Sequence, residues 1–170
     1  RLLGKHNISN ILAGIAASRE LNIDWKDIIK AVKLIPYIEH RLEVKTINGL
    51  KFIDNAFNSN PVGAKMSLEV MKMMPKKRII VTPGMIDLGS KQKEVNYEFG
   101  YSMKDHVDIA ILVGENQTLP IKEGLDKSGF KSENIYVVKT VKEAFGLVYK
   151  LADSKDTILL ENDLPDAYNV

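Results

Sequence analysis

The chain has 170 residues, of which 45% are hydrophobic and 27% charged, with a formal net charge of +2 and no cysteine. A chain of this length buries a core without staples. The missing cysteines exclude a disulfide framework or a thiolate metal site and fit a reducing cytosol. Evenly mixed charges give no reason to invoke nucleic acid or a membrane surface, and no apolar run approaches the roughly 20 residues that span a bilayer.

The chain opens at Arg1 without an initiator Met or a signal peptide, which reads as a segment of a longer protein. From Asn7 to Ala17 apolar residues fall at 8, 11, 12, 15 and 16, a helical period. A second helix is expected from Asp24 to Leu34, with Asp24 as N-cap and Pro36 beyond its end. Its apolar face is Trp25, Ile28, Ile29 and Val32.

The period then changes to two. Leu42–Ile47 alternates, Asn48-Gly49 follows, and Leu50–Ile53 resumes. Asn-Gly between alternating runs predicts a hairpin, because both residues tolerate positive φ. Beyond it, expected strands at 78–82, 108–113, 134–138 and 156–160 alternate with expected helices at 61–74, 91–104, 119–128 and 141–152. Continuous apolar strands rich in β-branched residues suit a sheet covered on both faces. The alternation predicts an α/β fold, a Rossmann-like, mostly parallel sheet with flanking helices. The expected boundary divides 1–41, two helices that cannot bury their apolar faces alone, from 42–170, the Rossmann-like domain.

Such sheets bind ligands outside the carboxyl ends of their strands. Four polar loops are expected there: Asp54–Pro61, Pro83–Gly89, Gly114–Gln117 and Glu161–Asp163. Asn60 suits an N-cap and Pro61 a first helical turn, so that helix start could hold an anion. Each loop read alone is more often an ordinary solvated turn, since Asn, Gly and Asp dominate turns. No phosphate-binding Walker loop, dinucleotide fingerprint, zinc motif or nucleophile elbow is present, and His6, His40 and His106 are widely scattered. No metal ligand set is assigned within the chain.

Several stretches together resemble the Mur ligase family. Gly4-Lys5-His6-Asn7-Ile8-Ser9-Asn10-Ile11-Leu12-Ala13 is similar to the G-x-H-N-x-x-N-x-x-A segment near the end of the family's central ATPase domain. His40-Arg41 resembles the segment opening the C-terminal domain. Phe52 to Pro61 resembles the D-D-(S/A)-Y-N-A-N-P loop, and Met85-Ile86-Asp87-Leu88-Gly89 the M-x-E-L-G stretch. These last two forms are closest to the branch that adds D-alanyl-D-alanine to UDP-N-acetylmuramoyl-tripeptide. The resemblance spans essentially the whole chain.

The resemblance implies an ATP-dependent amide-bond ligase of peptidoglycan precursor synthesis acting through an acyl phosphate. Its substrates would be a UDP-muramyl-peptide and a dipeptide or amino acid, with ATP and Mg2+ as cofactors. The phosphate loop, the magnesium ligands and most phosphate contacts would lie in the chain's own upstream domains, so this portion alone would be inactive. Residues 1–41 would be the last helices of the central ATP-binding domain. Asn7 and Asn10 would contact adenine, flanked by His6, which reads equally as a helix-start residue. Arg41 would reach the phosphates, or else pair with Glu39 or Glu43.

The resemblance also has departures. Asn55 aligns with the family's second aspartate, leaving Asp54 or Asn55 to take its catalytic-side role. Phe57 replaces a tyrosine. Asn58 and Asn60 would shape the substrate side. Glu161-Asn162 stand where the branch carries Lys-Gly-Ser, which bears on how the amine is held. Other acceptors, as in polyglutamate or cyanophycin-like ligases, and a degenerate non-catalytic binding domain are the alternatives.

Overall fold

The computed structural model describes residues 2–57 and 59–162. Two helices come first, α1 (Lys5–Glu20) and α2 (Trp25–Leu34). They precede the hairpin strands β1 (Glu43–Ile47) and β2 (Leu50–Asn55). The rest alternates as expected: α3 (Pro61–Lys72), β3 (Arg78–Thr82), α4 (Gln92–Ser102), β4 (Ile109–Val113), α5 (Glu115–Ser128), β5 (Ile135–Val138), α6 (Val141–Leu151) and β6 (Thr157–Glu161).

The hairpin turns on Asn48 (φ 50°) and Gly49 (φ 80°), the two positive values a tight two-residue turn needs. One six-stranded sheet runs β1-β2-β6-β3-β4-β5, with β1 antiparallel to β2 and every other pairing parallel. β6, last in the chain, inserts between β2 and β3.

Neighbouring apolar residues on each strand serve opposite faces. Ile53, Ile80, Leu112 and Leu159 pack under α3, α4 and α5. Phe52, Ile79, Ile111 and Ile158 pack under α6, through Ala144 and Val148. This is why the strands read as continuous apolar runs. Burying a side chain such as Phe52, 1% exposed, contributes about 2–3 kcal/mol. Thr140 caps α6 by accepting from the Glu143 N–H, and Glu143 accepts in return from the Lys139 N–H, a reciprocal arrangement that fixes the helix start.

α1 contributes no buried residue and α2 only Ile28. Ile8, Leu12, Trp25 and Ile29 are each more than half exposed, although Leu3 packs on the core beneath α3. The Arg19 guanidinium covers the Trp25 ring at 5.2 Å.

Two expectations need correction. Residues 115–117 are the first turn of α5, not a loop. The helix expected from 119 thus begins four residues earlier and takes Pro120 into its interior. Gly114 at φ 93° makes the entry, and Thr118 bonds back to its carbonyl through both N–H and hydroxyl. The helix expected at 91–104 is α4 flanked by single 3₁₀ turns at Gly89–Lys91 and Met103–Asp105. Among the described residues no helix is long and apolar enough to cross a membrane.

Candidate functional site

The junction at 40–42 lies against the carboxyl ends of β2 and β6. His40 (φ 57°) and Leu42 (φ 50°) are both left-handed without being glycine. A branched side chain adopts that backbone only where its surroundings impose it. Side chains at the end of β2 impose it here. Asp54 meets His40 Nδ1 at 2.9 Å, and Asn55 Oδ1 accepts from the Leu42 N–H at 3.2 Å. Leu42 itself is 4% exposed in the core.

Asp54 also takes Lys45 Nζ at 2.6 Å and the Ala56 N–H at 3.1 Å. Burial alone would raise its pKa. The Lys45 ammonium, the Ala56 N–H and His40 outweigh that and hold the carboxyl below its ordinary value of 3.8. The same pair raises Lys45, chiefly through the bond to Asp54 and then the one to Glu43. The two-residue turn sets Glu43 opposite Asp54, with Lys45 two residues on along the same face of β1. The hairpin register could therefore have revealed this ion pair, which the sequence reading missed.

Arg41 is exposed, and its guanidinium stacks on the Phe57 ring at 4.7 Å. Among the described residues it pairs with neither Glu39 nor Glu43. Glu43 instead meets Lys45 at 3.1 Å. Phe57 is thus a platform for a permanent cation. Beside it opens a cleft of about 400 Å³ lined by His40, Asp54, Phe57, Val81, Phe145 and Asn162 among others.

Glu161 and Asn162 do not form the solvated loop the sequence suggested. Glu161 is the last residue of β6 and 0% exposed. Its oxygens accept from Ser59 Oγ at 2.6 Å and Asn55 Nδ2 at 2.9 Å. Burial pushes its pKa up, against the pull of Ser59, Ser67 and Asn55. Asn162 accepts from the Ser59 N–H and donates to the Gly84 carbonyl at 2.7 Å. It is 8% exposed, and Asp163 lies outside the described residues.

Asn60 caps α3, accepting from the Gly63 N–H at 2.9 Å with Pro61 in the first turn. Asn58 also lies outside the described residues. At the start of α1, Asn7 Nδ2 donates to the Leu3 carbonyl at 2.6 Å, and Asn10 is exposed. His6 Nδ1 is buried without a partner among the described residues. A Cβ built on Gly4 would lie 2.8 Å from that nitrogen and 3.2 Å from Leu42 Cδ1, so the α1 start and the junction adjoin.

The reading of the Pro83–Gly89 segment as a polar loop missed its anchoring. Met85 is 1% exposed, and Asn96 of α4, also 1% exposed, bonds both its N–H and its carbonyl at 2.8 Å. An asparagine inside a helix carries no signal of such a partner.

A second lowered carboxyl lies at the opposite, amino-terminal edge of the sheet. Asp108 is held below 3.8 because the Arg78 guanidinium and backbone N–H outweigh its burial. Asp54 and Asp108 therefore bind fewer protons folded than unfolded. Their stabilisation is fully present above the ordinary carboxylate value and is lost as pH falls through their lowered folded values. Acid titration of the thermal midpoint is expected to show a decline that shrinks in Asp108→Asn. An unchanged acid limb would remove Asp108 from the account.

The family model described as "Mur ligase, glutamate ligase domain" matches residues 40–161. The chain is 33% identical over 160 residues to UDP-N-acetylmuramoylalanine--D-glutamate ligase of Lachnospira eligens, covering 94% of this chain and 33% of that protein. It is 28% identical over 164 residues to UDP-N-acetylmuramoyl-tripeptide--D-alanyl-D-alanine ligase of Bacillus subtilis, covering 94% and 35%. The crystal structure of MurF ligase from Thermotoga maritima in complex with ADP superposes with a TM-score of 0.77 at 20% identity, again over 94% of this chain and 35% of the other, and shares its fold. The chain thus spans about a third of the length of the curated relatives it matches. On the match across 40–161, which takes in the junction, the loop after β2 and the end of β6, the chain belongs to the Mur ligase family and carries its C-terminal domain.

Proposed function

We propose that this chain is the C-terminal portion of an ATP-dependent amide-bond ligase of peptidoglycan precursor synthesis. In this reading it joins D-alanyl-D-alanine to UDP-N-acetylmuramoyl-tripeptide. Residues 1–41 belong to the upstream ATP-binding domain, in keeping with the uncovered apolar side chains of α1 and α2. The observation that carries the reading is the Arg41 guanidinium stacked on Phe57 at the rim of an acceptor-sized cleft, where strand ends and junction meet.

The residues fit a nucleotide in part. The Arg41 guanidinium carbon lies 4.7 Å over the Phe57 ring, which would hold the cation where it could bind phosphate oxygens bidentately. Asn7 keeps its carbonyl oxygen for an adenine amine, with Asn10 three residues on and His6 beside them. They do not fit magnesium. Asp54 and Glu161 are already fully engaged, and no group of three metal-ligating side chains gathers among the described residues. The metal ligands of such an enzyme belong to its upstream part.

ATP supplies the phosphoryl group that activates the donor carboxylate as an acyl phosphate. The amine nitrogen then bonds to the acyl carbon, the carbon–oxygen bond to phosphate breaks, and the nitrogen loses a proton. Arg41 would offset charge on the phosphoryl oxygens, and closure of this domain would bring the amine in line.

A second reading makes D-glutamate the acceptor, favoured by the 33% identity to a D-glutamate ligase. The cleft favours the first. Val81 and Phe145 wall it, and such apolar walls suit methyl side chains better than a second carboxylate. Phosphate release from ATP by the full-length protein separates the two. Release that needs both UDP-N-acetylmuramoyl-tripeptide and D-alanyl-D-alanine is the expected result. Release only with UDP-N-acetylmuramoyl-L-alanine and D-glutamate transfers the assignment to the second reading, and release with neither pair overturns both.

A further inference from the structure

The buried carboxyl of Glu161 is shared by the end of β2 and by Ser59, about a hundred residues earlier in the chain. We propose that Glu161 is a positioning residue that fastens the junction at 40–42 to Ser59, beyond the end of β2, so that the two hold or loosen together. The inference rests on the geometry alone and stands whichever acceptor the enzyme uses.

Asn55 and Glu161 are register partners in the parallel β2–β6 pairing, so the sheet itself fixes their proximity. Asn55 donates to Glu161 at 2.9 Å with one end of its carboxamide and accepts from the Leu42 N–H at 3.2 Å with the other. It is a relay from the end of β6 to the junction. The other Glu161 oxygen accepts from Ser59 Oγ at 2.6 Å, which ties down Ser59. Asn162 adds a second tie by accepting from the Ser59 N–H at 3.0 Å.

The carboxamide at 55 serves both roles, as donor to Glu161 and acceptor from Leu42. Aspartate there could accept from Leu42 but not donate to Glu161, and would set two carboxylates at hydrogen-bond distance.

The linkage has a consequence for the exposed cation. Arg41 lies between His40 and Leu42, and its guanidinium rests on Phe57, two residues before Ser59. Both the backbone that carries Arg41 and the platform beneath it are referred to Glu161. The left-handed backbone of Leu42 is held by the same relay.

Hydrogen exchange of the Leu42 and Ser59 amides in this 170-residue chain tests the linkage, with the Ile80 and Leu112 amides reporting global opening. Ser59→Ala removes one bond to Glu161 and touches nothing at the junction. It is expected to speed exchange at Leu42 by about tenfold while the core amides stay protected. Asn55→Asp is expected to speed exchange at both sites. Adding Glu161→Gln to it should restore protection, because the carboxamide introduced at 161 donates to the carboxylate introduced at 55. Glu161→Gln alone should leave both amides protected. Unchanged exchange at Leu42 in Ser59→Ala, or failure of the double substitution to restore what Asn55→Asp lost, would overturn the proposal.

Discussion

Gly124→Ala is expected to destabilise the chain by about 3 kcal/mol or more, at the upper end of what overpacking costs. Gly124 lies in α5, where α4 and α5 meet backbone to backbone. A Cβ there would overlap the Tyr97 carbonyl oxygen and lie 2.7 Å from the Tyr101 nitrogen. The reciprocal position is as tight: a Cβ on Gly100 would overlap the Ile121 carbonyl oxygen and lie 2.8 Å from its carbon. Neither glycine has positive φ, so the requirement is for space.

Backbone atoms cannot rotate away, so relief requires the helices to part. That opens the core among Phe99, Met103, Ile121 and Leu125. Helix propensity works in the other direction, favouring alanine by about 1 kcal/mol, and the steric term exceeds it. Gly146 of α6 is the internal control. Nothing lies within 4 Å of a Cβ built there, so Gly146→Ala should be neutral or stabilise by up to about 1 kcal/mol. Urea unfolding of the two variants measures both. A Gly124→Ala protein as stable as the parent would mean that the two helices slide apart at little cost.

Asn96→Asp is expected to lower stability by about 2–4 kcal/mol, the combined effect of a lost donor and a buried charge or displaced proton. Asn96 accepts from the Met85 N–H at 2.8 Å and donates to the Met85 carbonyl at 2.8 Å and the Gln92 carbonyl at 3.0 Å. Aspartate keeps the acceptor but sets an oxygen against two carbonyl oxygens. Protonation repairs one of these contacts at most.

The effect reaches the site, because the anchored segment supplies the Gly84 carbonyl to Asn162 and the Pro83 carbonyl to Gln117. Gly84 (φ 85°) leaves no room for compensation, since a Cβ there would lie 2.9 Å from Asn96 Oδ1. Urea unfolding gives the magnitude, and exchange at the Met85 amide gives the locality. Equal stability together with an unchanged Met85 amide would show that the segment is held by something other than Asn96.

Much of this was legible locally. Asn48-Gly49 set the hairpin and its register. Arg78 to Thr82 was bounded correctly as a strand, and Asn60-Pro61 marked the start of α3. The segments around Arg41 and Asp54 carried the family resemblance that the match across 40–161 supports. Such signals survive in a single sequence because turn dihedrals, caps and side-chain period are properties of a few consecutive residues.

Glu161 was not legible. A charged residue after an apolar run reads as the first of a loop, yet β6 enters between β2 and β3 and carries it into the interior. Asn55, which the resemblance set beside Asp54 on the catalytic side, is the hydrogen-bond partner of that carboxyl and of the junction backbone. Asn96, Gly100 and Gly124 looked like unremarkable helix residues until their neighbours were known.

The sequence by itself thus determined the elements, their turns and caps, and the family, all of which depend on short-range backbone preferences and local motifs. The tertiary structure alone decided the strand order, which polar groups are buried, and what Glu161, Asn55 and Asn96 bind. Those outcomes depend on partners many residues away, which come together only when the sheet is assembled.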